Sequence, residues 1–175
     1  MKKERVLPFI LTLAIVVADR LTKNWVVANI PLHSIYKVIG NDLIWICHYR
    51  NTGIAFSVGD GMSSTFRFIV FTIIPVILMV VMAIMIASGK SNLTKAQRWF
   101  MAGVVGGGVG TIIDRFLYFD EGVVDFISVK FFGIFGLDRW PTFNISDSCV
   151  VVFVILLAIS ILVQPSDSAK GGKKK

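Results

Sequence analysis

From Phe66 to Ala87 the chain is nearly all Ile, Val, Leu, Met and Phe, with one proline, Pro75, inside the run. No other feature restricts the fold so strongly. About 20 apolar residues at roughly 1.5 Å rise each cross the ~30 Å hydrocarbon core of a bilayer as a helix, because hydrocarbon offers no partner for a bare backbone N–H or C=O. A soluble core is the other place such a run can go, and composition closes it. At 175 residues and 55% hydrophobic content the chain is too apolar for an ordinary soluble domain and too short for more than one compact unit. The chain is therefore read as an integral membrane protein. Pro75 is tolerated where neighbours satisfy the carbonyl it frees, so at most a kink is expected there.

Further apolar segments complete a mainly α fold. Four transmembrane helices are expected at about 6–28, 66–87, 99–119 and 146–163, in one membrane domain over 1–165 followed by a basic disordered tail, 166–175. Lys2, Lys3 and Arg5 ahead of Val6 to Ala18 resemble a secretory signal, but no A-x-A site follows and Val26-Val27-Ala28 continues the apolar pattern. An uncleaved first helix is the expectation. Two outer loops, 29–65 and 120–145, hold a small antiparallel β unit. Ile35 to Ile39, a Gly40-Asn41-Asp42 turn and alternation from Leu43 to Arg50 form one hairpin, and Val123 to Val129 alternates as a further strand. Ser88 to Arg98 reads as a short polar loop. In the third segment Gly103 and Gly107, then Gly106 and Gly110, lie four apart, a small-xxx-small pattern for close helix packing. No Lys-Ser/Thr follows them, so they do not form a phosphate loop.

The formal charge of +7 is concentrated rather than spread. Residues before Val6, the loop 88–98 and the tail together carry +8, and the remainder of the chain carries −1. By the positive-inside rule both termini and the 88–98 loop are cytoplasmic, and Asp19, Asn51, Asp114, Asp125 and Asp147 gather at the outer surface. This distribution argues against nucleic acid as a partner. Cys47 and Cys149 allow one disulfide and no metal-ligand spacing, with Cys149 read as a small buried side chain, and His33 and His48 form no HExxH. No metal is expected.

Asp125 and Asp147 lie in apolar surroundings between two membrane-length segments. An ionised carboxylate near hydrocarbon is costly, so acids kept there are functional candidates. If the two share a site, both cannot easily ionise, which leaves an acid beside a base at neutral pH. Asp147 falls in the first turn of the last helix with Asn144 three residues before it, so capping and catalysis both remain open for it. Asp19 and Lys23, four apart, either pair at the membrane surface or point inward to brace a site. Asp114 and Arg115 pair with each other or with that first couple. Asn51-Thr52-Gly53-Ile54-Ala55-Phe56-Ser57 offers an amide, a hydroxyl and a glycine to an extended peptide or a catalytic group, or is an ordinary turn.

Taken together, Asp19-x-x-x-Lys23, Asn51-Thr52-Gly53-x-Ala55-Phe56-Ser57, Gly110-x-x-x-Asp114-Arg115, Val123-Val124-Asp125-Phe126 and Phe143-Asn144-x-x-Asp147-Ser148 resemble the bacterial lipoprotein signal peptidases, the signal peptidase II family. The resemblance covers about residues 6 to 163. It departs at Arg20, where the family usually has Gln, and at Thr111, where it usually has Asn. It implies a membrane aspartic endopeptidase of the bacterial cytoplasmic (inner) membrane, monomeric and without cofactor, with Asp125 and Asp147 as the catalytic pair. Asp19, Lys23, Asn51, Gly53, Gly110, Asp114, Arg115 and Asn144 would bind substrate or support the site. The substrate implied is a diacylglyceryl-prolipoprotein cut before its lipidated cysteine, with membrane lipid as the other partner. Three rivals stand beside it: a small proton-coupled transporter with intramembrane carboxylates, a Ser/Lys peptidase using Ser57 and Lys23, and a non-catalytic scaffold.

Overall fold

The computed structural model describes residues 3–52, 63–118 and 121–163. The Gly53 to Ser57 part of the loop motif, Asp120 and the basic tail lie outside them. After a single turn at Lys3–Val6 come α1 (Phe9–Asn29), β1 (Ile35–Ile39) and β2 (Ile44–Asn51). Helix α2 then runs as Ser64–Phe68, a π-helical turn at Ile69–Ile73 and Ile74–Ala87; α3 (Lys95–Leu117), β3 (Val123–Val129) and α4 (Ile145–Leu162) complete the order.

Among the described residues, three helices are long and apolar enough to cross a membrane: Thr65–Ala87, Lys95–Leu117 and Ile145–Leu162. Helix α1 is 21 residues long but carries Asp19, Arg20 and Lys23. Asp19 and Lys23 are buried, while Ile10, Leu13, Val17 and Leu21 on its other side are exposed. The helix is thus apolar outward and charged inward, the reverse of a soluble amphipathic helix.

At Pro75 at most a kink is expected, and the structure has a π-helical turn ahead of it. The proline's missing N–H and its ring disrupt the preceding turn, and the chain relaxes by widening Ile69–Ile73 into a π-turn. The loop expected at 88–98 is shorter than its charges suggested. A capping box starts α3 early: Gln97 N donates to Thr94 Oγ1 at 3.2 Å and Thr94 N to Gln97 Oε1 at 3.0 Å, so Lys95 and Arg98 are helical. Arg98 then turns its guanidinium onto Ile86 O and Ser88 O, carbonyls at the end of α2.

Helix α3 is the hub of the bundle, packing on α1, α2 and α4. Its glycines make this possible. A Cβ at Gly103 would lie 2.2 Å from Phe153 and one at Gly107 2.5 Å from Ser146 O, both on α4, whereas one at Gly106 would meet Thr12 and Ile15 of α1 at 3.0–3.2 Å. Among the described residues α2 and α4 both pack on α3 and have little contact with each other.

The β unit is one antiparallel sheet of order β1-β2-β3. The turn after β1 holds Gly40, Asn41 and Asp42 at positive φ, 64°, 50° and 75°, residue types that tolerate the left-handed region. Arg139 stacks on Trp45 with its Cζ 3.7 Å from the indole centroid and donates to Ser128 Oγ at 2.9 Å and Asp42 O at 3.0 Å, tying the 131–143 loop to the hairpin. Val26 of α1 and Ile30 at its C-cap pack with Val124 and Phe126 of β3, so the sheet rests on the end of the first helix. Neither cysteine is in a disulfide; Cys47 is the buried one, and Cys149, expected to be buried, is only half so.

Candidate active site

Asn144 is the junction of the site. It is the N-cap of α4 and forms a capping box with Asp147: its Oδ1 accepts from Asp147 N at 3.0 Å, and its own backbone N–H donates to Asp147 Oδ2 at 3.1 Å. Its other side-chain polar group, Nδ2, donates to Asp125 Oδ1 at 2.8 Å and Val124 O at 3.3 Å. Asn51, the last residue of β2, donates from Nδ2 to Asp125 Oδ2 at 3.2 Å. One fully buried asparagine thus holds both acids.

Asp125 is 1% exposed. Burial raises its carboxyl, the neighbouring Asp147 charge raises it further, and the amides of Asn51 and Asn144 pull against both, leaving it at about 7. It therefore stands near half-protonation at neutral pH. The thiol of Cys47, on the adjacent strand, is pushed up to about 11 by burial and carries no charge there.

Both acids line a cavity of about 550 Å³ together with Asn51 and Arg115 at its polar end. Its other wall is apolar: Val70, Phe71, Pro75 and Met79 of α2, Ile112 of α3, and Val150 and Val151 of α4. The π-turn and Pro75 shape this wall, and Thr111 also lines it. The guanidinium carbon of Arg115 lies 5.5 Å from the Phe71 ring centroid. Trp140, Pro141, Thr142 and Phe143, from the segment between β3 and α4, also line the cavity.

Behind the acids lies a buried ion cluster. Lys23 Nζ sits 2.8 Å from Asp19 Oδ2 and 2.9 Å from Asp114 Oδ2, and Arg20 pairs with Asp114 and, at 3.5 Å, with Asp19. Of the openings left for Asp19 and Lys23, the inward one is found. The cluster also grips backbone. Asp19 Oδ1 accepts from Ser146 N at 3.2 Å, and Asp114 Oδ2 from Val124 N at 3.2 Å. Each supporting acid thereby holds the amide immediately before one acid of the pair. Gly110 lies between the layers, where a Cβ would stand 2.0 Å from Ser146 Oγ and 2.8 Å from Asp19 Oδ2. Arg20, singled out in the sequence only as a departure, is part of this cluster, and the gathering of one acid and two bases at 19, 20 and 23 on one apolar helix was the available signal. Of the named site residues, Asp19, Lys23, Asn51, Gly110, Asp114, Arg115, Asp125, Asn144 and Asp147 converge here, and Gly53 falls outside the described residues.

Fold and site define a multi-pass membrane protein with a carboxylate pair at the junction of a helical bundle and a small sheet. Comparison with known proteins gives the family. The family model described as signal peptidase (SPase) II matches residues 11–163. The chain is 46% identical to a lipoprotein signal peptidase of Treponema denticola over 164 residues, 93% of this chain and 92% of that protein. It is 38% identical to the lipoprotein signal peptidase of Treponema pallidum over 166 residues, 95% and 88% of the two chains. A solved bacterial membrane enzyme is similar with a TM-score of 0.73 at 29% identity, covering 96% of this chain and 93% of that one. The chain belongs to the signal peptidase II family, as its motifs implied. These relatives support no transporter reading.

Proposed function

We propose that the protein is an aspartic endopeptidase that removes signal peptides from diacylglyceryl-prolipoproteins, cutting before the lipidated cysteine. The observation that carries this is the suspension of Asp125 and Asp147 from a single asparagine at the mouth of an apolar-walled cavity. The pair shares one proton. As the ionised member accepts a proton from water, the water oxygen bonds to the scissile carbonyl carbon, and the protonated member donates to the carbonyl oxygen. Collapse of the tetrahedral species breaks the C–N bond; the departing amine takes the proton from the base, and the other acid recovers its own from the hydroxyl. No acyl-enzyme forms. Asn51 and Asn144 orient the acids, and Arg115 at the polar end suits a substrate carbonyl or the lipid ester oxygens. The apolar wall between α2 and α4, which scarcely meet, suits acyl chains arriving sideways from the bilayer.

The protein has four spans, with α1 as the first; its exposed Ile10, Leu13, Val17 and Leu21 support this, since such a face suits lipid. It is a monomer with one membrane domain over 1–165, both termini cytoplasmic and the site at the outer face of a bacterial inner membrane. Charge asymmetry supports the orientation. Lys23 Nζ is clamped between two carboxylates, a place that suits support rather than a Ser/Lys mechanism. The test is incubation of purified protein with a diacylglyceryl-prolipoprotein and with its unlipidated form, wild type beside Asp147→Asn. Cleavage of the lipidated form alone, lost in the variant, is expected; equal cleavage by the variant would overturn the reading.

A further inference from the structure

We infer that Arg20 is a positioning residue for the reaction: it completes a charge-balanced cluster that fixes the two amides next to the catalytic acids. The inference rests on Asp125 and Asp147 being the pair. Asp19 and Asp114 are both fully buried and lie on different helices, α1 and α3. Lys23 contacts both, at 2.8 and 2.9 Å, but one ammonium balances only one of two carboxylates. An uncompensated carboxylate in such a place takes up a proton or draws in water, and either change alters what it can accept. Arg20 supplies the second positive charge. Its guanidinium pairs with Asp114 and reaches Asp19 at 3.5 Å, with most of its side chain covered.

The consequence extends beyond the charges. Asp114 Oδ2 is shared between Lys23 and the backbone N–H of Val124, while Oδ1 is taken by Arg20. With both oxygens engaged the carboxylate has one orientation, and Val124 N, one residue before Asp125, is fixed with it. Asp19 does the same for Ser146 N, one residue before Asp147, at 3.2 Å. Removing Arg20 frees Oδ1 of Asp114, so that the carboxylate can rotate away from β3 and the spacing of the two acids loosens. Arg20 lines no part of the cavity and touches neither catalytic carboxylate, so the loss falls on the chemical step and not on substrate affinity.

The test compares Arg20→Met, Arg20→Lys and Asp125→Asn with wild type, using a diacylglyceryl-prolipoprotein in detergent micelles. Arg20→Met is expected to lower kcat by roughly ten- to a hundredfold, the scale for displacing reacting groups by about an ångström, with KM within about twofold. Arg20→Lys, which returns the charge on a shorter arm, is expected to recover most of that loss. An unchanged kcat in Arg20→Met, a loss confined to KM, or equal loss in the Met and Lys variants would overturn the inference. The Asp125→Asn arm separates the two levels: full cleavage there removes the catalytic pair itself, whereas abolished cleavage with a normal Arg20→Met leaves the pair standing and removes only the role of Arg20.

Discussion

Replacing Asp125 with asparagine should make stability respond to pH in the opposite way from most carboxylate substitutions. In the unfolded chain the carboxyl has its ordinary value of 3.8, and in the folded protein it stands at about 7. The folded state holds the proton more tightly, so ionisation opposes folding: stability is full below pH 3.8 and declines as pH rises toward 7. At 1.36 kcal/mol per unit, about three units correspond to roughly 4 kcal/mol, an upper figure because Asp147 shares the titration. Asparagine escapes that penalty but sacrifices a hydrogen bond. Asn51 and Asn144 both donate to the Asp125 carboxylate, and an amide has one oxygen to offer, so one donor is left unmatched at about 1–3 kcal/mol. Asp125→Asn should therefore be less stable than wild type at pH 4 and more stable at pH 8, with the two curves crossing between. Unfolding in mixed micelles at a series of pH values measures this, and a net of about 1–3 kcal/mol at pH 8 corresponds to about 2–12 °C in Tm for a chain of this size. Parallel curves would refute the assigned environment of Asp125.

Gly110→Ala should cost about 1–3 kcal/mol and most of the activity, because its methyl would press on Ser146 Oγ and Asp19 at the root of α4; thermal unfolding and a cleavage assay check both. Thr94→Ala removes the cap of α3 far from the cavity and should lower stability by about 1 kcal/mol with kcat unchanged, read from the same two assays. Asp114→Asn breaks a buried cluster and should destabilise by about 3–5 kcal/mol, with loss of cleavage; unaltered Tm would contradict the ion-pair geometry.

The helices were legible because hydrocarbon admits few alternatives: an unbroken apolar run such as Phe66 to Ala87 has one outcome whatever its neighbours. Strand β3 was legible by its alternation, but its joining β2 was not, since pairing Tyr49 with Asp125 is a tertiary event. The early start of α3 was written in Thr94 and Gln97 and hidden by the charges of Lys95 and Arg98, which suggested a loop. The π-turn before Pro75 had no sequence signal beyond the proline itself. Within the site, the motifs named side chains that the fold brings together, without their joints. That Asp19 grips Ser146 N, 127 residues away, follows from three helices meeting at Gly110, and local spacing does not carry that information.

The central claim is that Asp125 and Asp147 work as one unit, and the most direct measurement is the cleavage rate of Asp125→Asn, Asp147→Asn and the double variant on one diacylglyceryl-prolipoprotein. Groups acting as a unit are strongly non-additive, so each single variant should fall as far as the double. A single variant that cleaves at a rate near wild type, or losses that simply add, would contradict it.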